Sequence, residues 1–231
     1  DHAPSRRDLS IQTPEDIFIT AVIDLSGSMY ASGLVQETLN GVNKLASEQA
    51  AEGRGWMSLT TFDNKVTSRY RAWGLADMPT ITEADVEGHH GMTALYDAVG
   101  TAISDTDAWV RDNPWFDGKH LVAIVTDGHE NCSWNYTAAQ VRELKVTKEA
   151  HGWGFVFLGA GIDAWDQGRA FGMSKGQSVS LPGIASAVKD RFYTLGSSTT
   201  RYRSAKGTSF TWDGGEGGNA EDQTVQQSTS D

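Results

Sequence analysis

An unbroken apolar run that ends in a loop of oxygen-bearing side chains constrains the fold of this chain more than any other feature. The run covers residues 17–23, and Asp24, Ser26 and Ser28 follow it at alternate positions. A strand of continuous apolar sequence is typical of a parallel sheet covered by helices on both faces. Such sheets bind ligands beyond the carboxyl ends of their strands, and carboxylates and hydroxyls are ligands of hard divalent cations. The sequence therefore predicts a buried first strand with a metal site at its end.

Further apolar runs alternate with helix patterns along the chain. In the first helix Val35, Leu39, Val42 and Ala46 recur at helical spacing. The strands expected after the first cover residues 57–62, 66–73, 121–126, 155–158 and 178–181. The later helices are expected after residue 93, from residue 137, over residues 163–171 and over residues 185–203. This alternation predicts βαβ units, an α/β fold class and a mainly parallel sheet.

The connection between the second and third strands is too short for a crossover. Only Asp63, Asn64 and Lys65 separate the two runs, which predicts a hairpin and therefore one antiparallel strand at a sheet edge.

Composition divides the chain into three parts. Residues 1–14 are polar and are expected to form an N-terminal arm, and residues 15–206 the domain. Gly, Gln, Ser, Thr and acidic residues dominate residues 207–231, which predicts an acidic flexible tail.

The charge of the chain argues against one class of partner. The net charge of −11 disfavours nucleic acid as a ligand, because basic surfaces supply most of the affinity for it. Arg191, Arg201, Arg203 and Lys206 form a local basic stretch, which we expect on a solvated helix face.

Cysteine content and hydropathy bear on the compartment. The single cysteine, Cys132, allows no intrachain disulfide. No apolar run approaches the length of a membrane span, and the N-terminal residues lack the apolar core of a signal peptide. We expect a cytoplasmic or virion protein.

Two more candidate metal ligands occur at the ends of predicted elements. Thr93 precedes a predicted helix, and Asp127 follows the predicted strand 121–126. Each of the three motifs taken alone is more typical of a turn or a helix cap. All three together, in order after strands of the right kind, favour a metal site.

These segments resemble a known motif. Asp24-Leu25-Ser26-Gly27-Ser28, Gly91-Met92-Thr93 and Thr126-Asp127-Gly128 resemble the three parts of the metal-ion-dependent adhesion site of von Willebrand factor A domains. The resemblance extends over about residues 15–200, and five positions match in order. It implies a Rossmann-like, six-stranded sheet with one antiparallel edge strand and helices on both faces. Residues 152–161 are similar to the small stand-alone bacterial and phage members of the family.

The resemblance also implies how the site works. Residues matching Ser26, Ser28 and Thr93 bind the metal through hydroxyls, whereas those matching Asp24 and Asp127 act through water or hydrogen bonds. The implied ion is Mg²⁺, with Mn²⁺ or Ca²⁺ as alternatives. A protein partner supplies an Asp or Glu to the metal, because neutral hydroxyls leave most of its charge uncompensated.

Residues beside the predicted site are candidates for contact with that partner. The alternative for the polar ones is an ordinary exposed loop position, and for the tryptophan it is cover for the sheet edge. The five candidates are His89, His90, His129, Glu130 and Trp134.

Three functions are compatible with these observations. We favour a metal-dependent protein-binding module for adhesion or as an adaptor, without enzymatic activity. The first alternative is a structural or host-attachment component of a phage particle or another bacterial assembly. The second is a metal-dependent phosphohydrolase with Asp24 as nucleophile, but Ser26 stands where such an enzyme needs its general acid.

Overall fold

Five parallel strands and one antiparallel strand form a single sheet in the order β3-β2-β1-β4-β5-β6. The computed structural model describes residues 15–88, 91–160, 164–181, 185–205 and 209–214. The strands are β1 (Ile17–Asp24), β2 (Gly55–Phe62), β3 (Val66–Gly74), β4 (Lys119–Thr126), β5 (Gly154–Ala160) and β6 (Ser178–Leu181). The predicted α/β fold class, with a mainly parallel sheet and one antiparallel edge strand, is confirmed.

Helices cover both faces of the sheet. They are α1 (Gly27–Ala31), α2 (Leu34–Glu52), α3 (Leu95–Asp112), α4 (Ala138–Ala150), α5 (Ala164–Ala170) and α6 (Ala185–Ser204). One buried cluster joins α2 and α6 to alternate residues of β1, and a second joins α3 and α4 to the other face. Every residue of β1 is buried, as its continuous apolar sequence predicts.

The strand order decides where a ligand can bind. The chain leaves β1 for β2 on one side and later returns to place β4 on the other side of β1. A crevice forms where the strand order reverses in this way, beyond the carboxyl ends of the two strands. Asp24 ends β1, and Asp127 directly follows β4. The topology thus brings the two aspartates to one edge of the sheet.

Local signals in the sequence account for most element ends. Thr137 and Gln140 form the capping box that begins α4, and Gly152, with φ 86°, follows its end. The sequence pattern missed α1, whose five residues are too few to show a helical period. In α1 only Met29 is buried.

One expectation about α6 is wrong. Arg203 does not face solvent: it has no exposed surface. Its guanidinium donates hydrogen bonds of 2.7–2.8 Å to the backbone carbonyls of Glu15, Gln49 and Arg54. The arginine therefore joins the start of β1 and the end of α2 to α6.

Part of the segment that was assigned to the tail contacts the domain. Phe210 is only 3% exposed and packs edge-on against Tyr202 of α6. The Trp212 amide donates to the carbonyl of Gly176, and Asp213 pairs with Arg201. The predicted N-terminal arm, and residues 215–231 of the predicted tail, lie outside the described residues.

In the described part of the chain, no helix has the length and apolar character needed to cross a membrane.

Candidate functional site

The Asp24 carboxylate lies at the bottom of the crevice between β1 and β4. It has no exposed surface. Its Oδ1 accepts the Ser26 amide at 2.7 Å, and its Oδ2 accepts the Thr126 hydroxyl at 2.5 Å. Burial raises the pKa of Asp24 to about 6, although both hydrogen bonds oppose the shift. The carboxylate is thus fixed in position, and among the described residues no basic side chain compensates its charge.

The two serines connect β1 to Asp127. The Ser26 and Ser28 hydroxyl oxygens are 3.2 Å apart, and the Ser28 hydroxyl donates to Asp127 Oδ1 at 2.6 Å. Burial raises the pKa of Asp127 as well, and its bonds to Ser28 and Ser32 oppose this shift. Two carboxylates with raised pKa values in one crevice favour the arrival of a cation.

Thr93 reaches the crevice from the loop before α3. Its amide donates to Asn131 Oδ1 at 2.8 Å, and the Asn131 amide returns a bond to the Thr93 carbonyl at 3.1 Å. A Cβ atom on Gly128 would lie 3.0 Å from Thr93 Oγ1 and 3.8 Å from Asp24 Oδ2. The absence of a side chain at Gly128 therefore leaves space next to both oxygens.

The donor set fits a hard divalent cation. Neighbouring ligands of an octahedral Mg²⁺ are about 2.9 Å apart, given metal–oxygen distances of about 2.0–2.1 Å. The separation of the Ser26 and Ser28 hydroxyls is close to that value. Among the described residues no group of three or more His, Cys, Asp or Glu side chains could hold a metal, so the candidate site depends on its hydroxyls. Ser26, Ser28 and Thr93 would hold the ion, with Asp24 and Asp127 beside it.

Residues 127–136, which we call the rim loop, cap the start of α3. Glu130 accepts the amides of Tyr96, Cys132 and Ser133 at 2.6–2.9 Å, and also the Ser133 hydroxyl. The Ser133 hydroxyl accepts the amide of Asp97 at 3.0 Å. These bonds satisfy amide groups that a helix N-terminus leaves unpaired. The carboxylate of Glu130 is thus engaged within the loop, and its contact with a partner stays a prediction.

Asp97 holds the rim loop from the helix side, and sequence reasoning missed it. Its carboxylate accepts the amides of Trp134, Asn135 and Tyr136 at 2.7–2.9 Å, together with the Asn135 side chain. The signal was present in the sequence, because Asp97 is an acid in the first turn of a helix whose buried face is otherwise uncharged.

The outer surface of the rim is apolar at two positions. Trp134 is 93% exposed, and Met92, next to Thr93, is 55% exposed. His129 is exposed, and its Nδ1 lies 2.5 Å from Gln167 Nε2. Tyr136 instead covers α3, where its ring lies against Gly100. His89 and His90 lie outside the described residues.

Comparisons by sequence find no relative. No protein-family model matches the chain, and none of the curated proteins matches it either.

Comparison of structures finds many similar folds. The proximal thread matrix protein 1 of the mussel byssus matches with a TM-score of 0.56 and 15% identity, over 82% of this chain and 47% of that one. The pilus adhesin SpaC of Lactobacillus rhamnosus GG matches with a TM-score of 0.63 and 12% identity, over 83% and 31%. The minor pilin PilB of Streptococcus sanguinis matches with a TM-score of 0.57 and 11% identity, over 84% and 63%.

At these identities the likeness shows the fold alone, and that fold agrees with the von Willebrand factor A-like fold implied by the sequence. The chain spans about half of the mussel protein and a third of the adhesin. A further structure of the mussel protein has a zinc-occupied metal-ion-dependent adhesion site, and it matches with a TM-score of 0.55.

Proposed function

We propose that this chain is a metal-dependent protein-binding module that engages a carboxylate of its partner through a Mg²⁺ ion. The observation that carries the proposal is the convergence of Asp24, Ser26, Ser28 and Asp127 where β1 and β4 end, with Thr93 beside them. Hydroxyl ligands would leave the ion short of negative charge, so an external Asp or Glu would complete its coordination. Mn²⁺ and Ca²⁺ are alternative ions, since both also take oxygen ligands.

The similar structures support the protein-binding part of this proposal. They are named as a matrix protein, a pilus adhesin and a minor pilin. These names also favour a second function, in which the chain is a subunit of a larger assembly such as a fibre or a particle. The cytoplasmic or virion location stays a prediction that depends on which assembly, if any, contains the chain.

The geometry of Asp24 opposes the phosphohydrolase alternative. An aspartyl nucleophile must reach its substrate, but Asp24 is fully buried and both of its oxygens accept hydrogen bonds from the protein. Its partners, the Ser26 amide and the Thr126 hydroxyl, hold the carboxylate in this position.

The test is affinity capture of a partner in Mg²⁺ and in EDTA, with wild type and Thr93→Ala side by side. Wild type is expected to retain a partner only in Mg²⁺, and Thr93→Ala to lose at least about tenfold in affinity. Thr137→Ala is a matched control, because Thr137 caps α4 outside the site. A partner that both variants and wild type retain in EDTA would contradict the proposal.

A further inference from the structure

A groove lies beside the candidate metal site, between the β2–β3 hairpin and the rim loop. Its volume is about 510 Å³, which is within the range of ligand-binding clefts. We call it the hairpin groove, and the residues that matter here are Asn64, Lys65, Val66, Arg71, Cys132 and Trp134.

The hairpin groove lies next to the loop that carries Thr93, since the following residue, Ala94, lines it. At its near end the Asn64 side chain lies against Gly91: a Cβ atom on that glycine would be 2.5 Å from Asn64 Oδ1. The amide of Ala94 donates to the carbonyl of Asp63 in the hairpin at 2.7 Å. These contacts place the hairpin directly beside the loop that carries Thr93, so a partner bound at the candidate metal site would lie next to the groove.

The solvent-facing charges of the groove are positive. Lys65 is exposed and has no ion pair among the described residues, and Arg71 is exposed with Asp105 3.4 Å from its guanidinium. Asp97 also lines the groove, but it is buried and its carboxylate is occupied by the rim loop. Burial, with nearby carboxylates, raises the pKa of Cys132, so its thiol carries no charge at neutral pH.

The shape and the walls of the groove suit an extended peptide. One wall belongs to β3, an edge strand of the sheet, and extended segments commonly bind at sheet edges. The other wall carries Trp134, whose exposed ring can bury a large apolar area against a ligand.

We infer that the hairpin groove binds an extended acidic segment of the same partner whose Asp or Glu meets the metal. This inference rests on the proposed function. Lys65 and Arg71 select an acidic residue near the metal-bound carboxylate, and Trp134 packs on the segment. The groove thus determines which carboxylate-bearing partner the module accepts.

The probe is a displayed library of random peptides, each long enough to span the site and the groove, selected on the full chain in Mg²⁺. A selected peptide is then titrated against wild type, Trp134→Ala and the double variant Lys65→Glu/Arg71→Glu. The matched control is Arg142→Glu/Lys189→Glu, which reverses two exposed charges on α4 and α6. Circular dichroism checks that every variant is folded.

We expect the selection to enrich peptides with at least two acidic residues. The Lys65→Glu/Arg71→Glu variant is expected to bind the selected peptide about tenfold more weakly than wild type, while the affinity of the control variant stays within about twofold. When the library is selected on this double variant, we expect it to enrich peptides with basic residues. Enriched peptides without acidic residues, no enriched peptide at all, or equal affinities for the double variant and the control would overturn the inference.

Thr93→Ala and EDTA separate this inference from the proposed function. If they abolish binding and the double variant does not weaken it, the metal site stands and the groove has no role. If the double variant weakens binding and EDTA leaves it unchanged, the groove binds acidic segments and the metal proposal fails.

Discussion

The buried charge of Asp24 destabilises the folded protein when no cation is present and favours the binding of a cation at the candidate site. A carboxylate with no exposed surface has lost its hydration, and the two hydrogen bonds it accepts replace only part of that loss. Its pKa is raised to about 6, so the folded protein at neutral pH holds an ionised group that the unfolded chain accommodates more easily. A divalent cation would reverse this effect.

The first prediction concerns Asp24→Asn. Asparagine removes the buried charge, so the metal-free protein at neutral pH should keep its stability or gain up to about 3 kcal/mol. Wild type should gain about 2.7 kcal/mol when Mg²⁺ is present at about 100 times its Kd, and the variant should gain nothing. Urea denaturation with and without Mg²⁺ measures both effects.

Asp117→Asn is the control for this prediction, because Asp117 is an exposed carboxylate outside the site. Equal stabilisation of Asp24→Asn and wild type by Mg²⁺ would show that the ion binds elsewhere.

At the scale of elements, the rim loop and α3 form one unit. Glu130 and Ser133 satisfy amides in the first turn of the helix, and Asp97 satisfies three amides of the loop in return. Asn131 is the link from this unit to the site, because it bonds both the amide and the carbonyl of Thr93. The loop therefore positions Thr93, a candidate metal ligand, and its first residue is Asp127 of the candidate site.

The second prediction follows from that link. Asn131→Ala is expected to lower Mg²⁺ affinity about 10- to 100-fold, as loss of a group that orients a ligand commonly does. Asn135→Ala is the matched control, since in the described part of the chain the Asn135 side chain bonds Asp97 and not Thr93, and the Mg²⁺ affinity of this variant should stay within about twofold of wild type. Titration calorimetry measures both. Equal losses in the two variants would assign the effect to the loop as a whole.

The third prediction concerns the last helix. Arg203→Met removes the three hydrogen bonds that the fully buried guanidinium donates to the carbonyls of Glu15, Gln49 and Arg54, and of these carbonyls the one of Arg54 still accepts the Ile17 amide. The expected loss is about 3–5 kcal/mol of unfolding free energy. Arg201→Met removes only a partly exposed ion pair with Asp213 and should cost less than about 1 kcal/mol. Urea denaturation distinguishes the two, and similar losses would contradict the role given to Arg203.

At the scale of the whole molecule, the end of the sheet opposite the candidate site contains a buried aromatic cluster around His120. The imidazole stacks on Trp153 at 4.7 Å and meets Phe116 edge-on at 4.9 Å. Its Nε2 is buried and has no hydrogen-bond partner within the described part of the chain. Burial, with a further contribution from Lys148 and against Asp107, lowers the pKa of His120 to about 4.

The fourth prediction is that His120 destabilises the folded protein in acid. The unfolded chain protonates this histidine near pH 6.5, whereas the folded protein does so only near pH 4. Between these values the unfolded chain binds more protons at this histidine, so the contribution of His120 to stability falls as the pH falls, by about 3 kcal/mol in total. Asp24, whose pKa is raised to about 6, contributes in the opposite direction over much of the same range. His120→Phe should remove this part of the pH dependence, and His151→Gln, which changes an exposed histidine, should not. Parallel stability profiles for wild type and His120→Phe between about pH 7 and pH 4 would contradict the assignment.

Local patterns predicted the elements well because their causes are local. Alternating apolar runs and helical stripes predicted the sheet with its antiparallel edge, and Asn113-Pro114 marked the end of α3. The short helix α1 was missed, since a single turn has no period to detect. The sequence also brought together Asp24, Ser26, Ser28, Thr93 and Asp127 as one hypothesis, because oxygen-bearing side chains at strand ends of one sheet share an edge.

The sequence by itself determined the fold class and proposed a set of candidate oxygen donors, while the tertiary structure decided what the charged side chains do. Glu130, predicted as a partner contact on the rim, also accepts an amide of α3, and Arg203 was expected in solvent and is buried. Phe210, assigned to the tail, packs against α6. Apolar periodicity is a property of neighbouring residues, but a charged group can be buried only where distant segments supply its partners. Those partners meet only when the whole chain has folded.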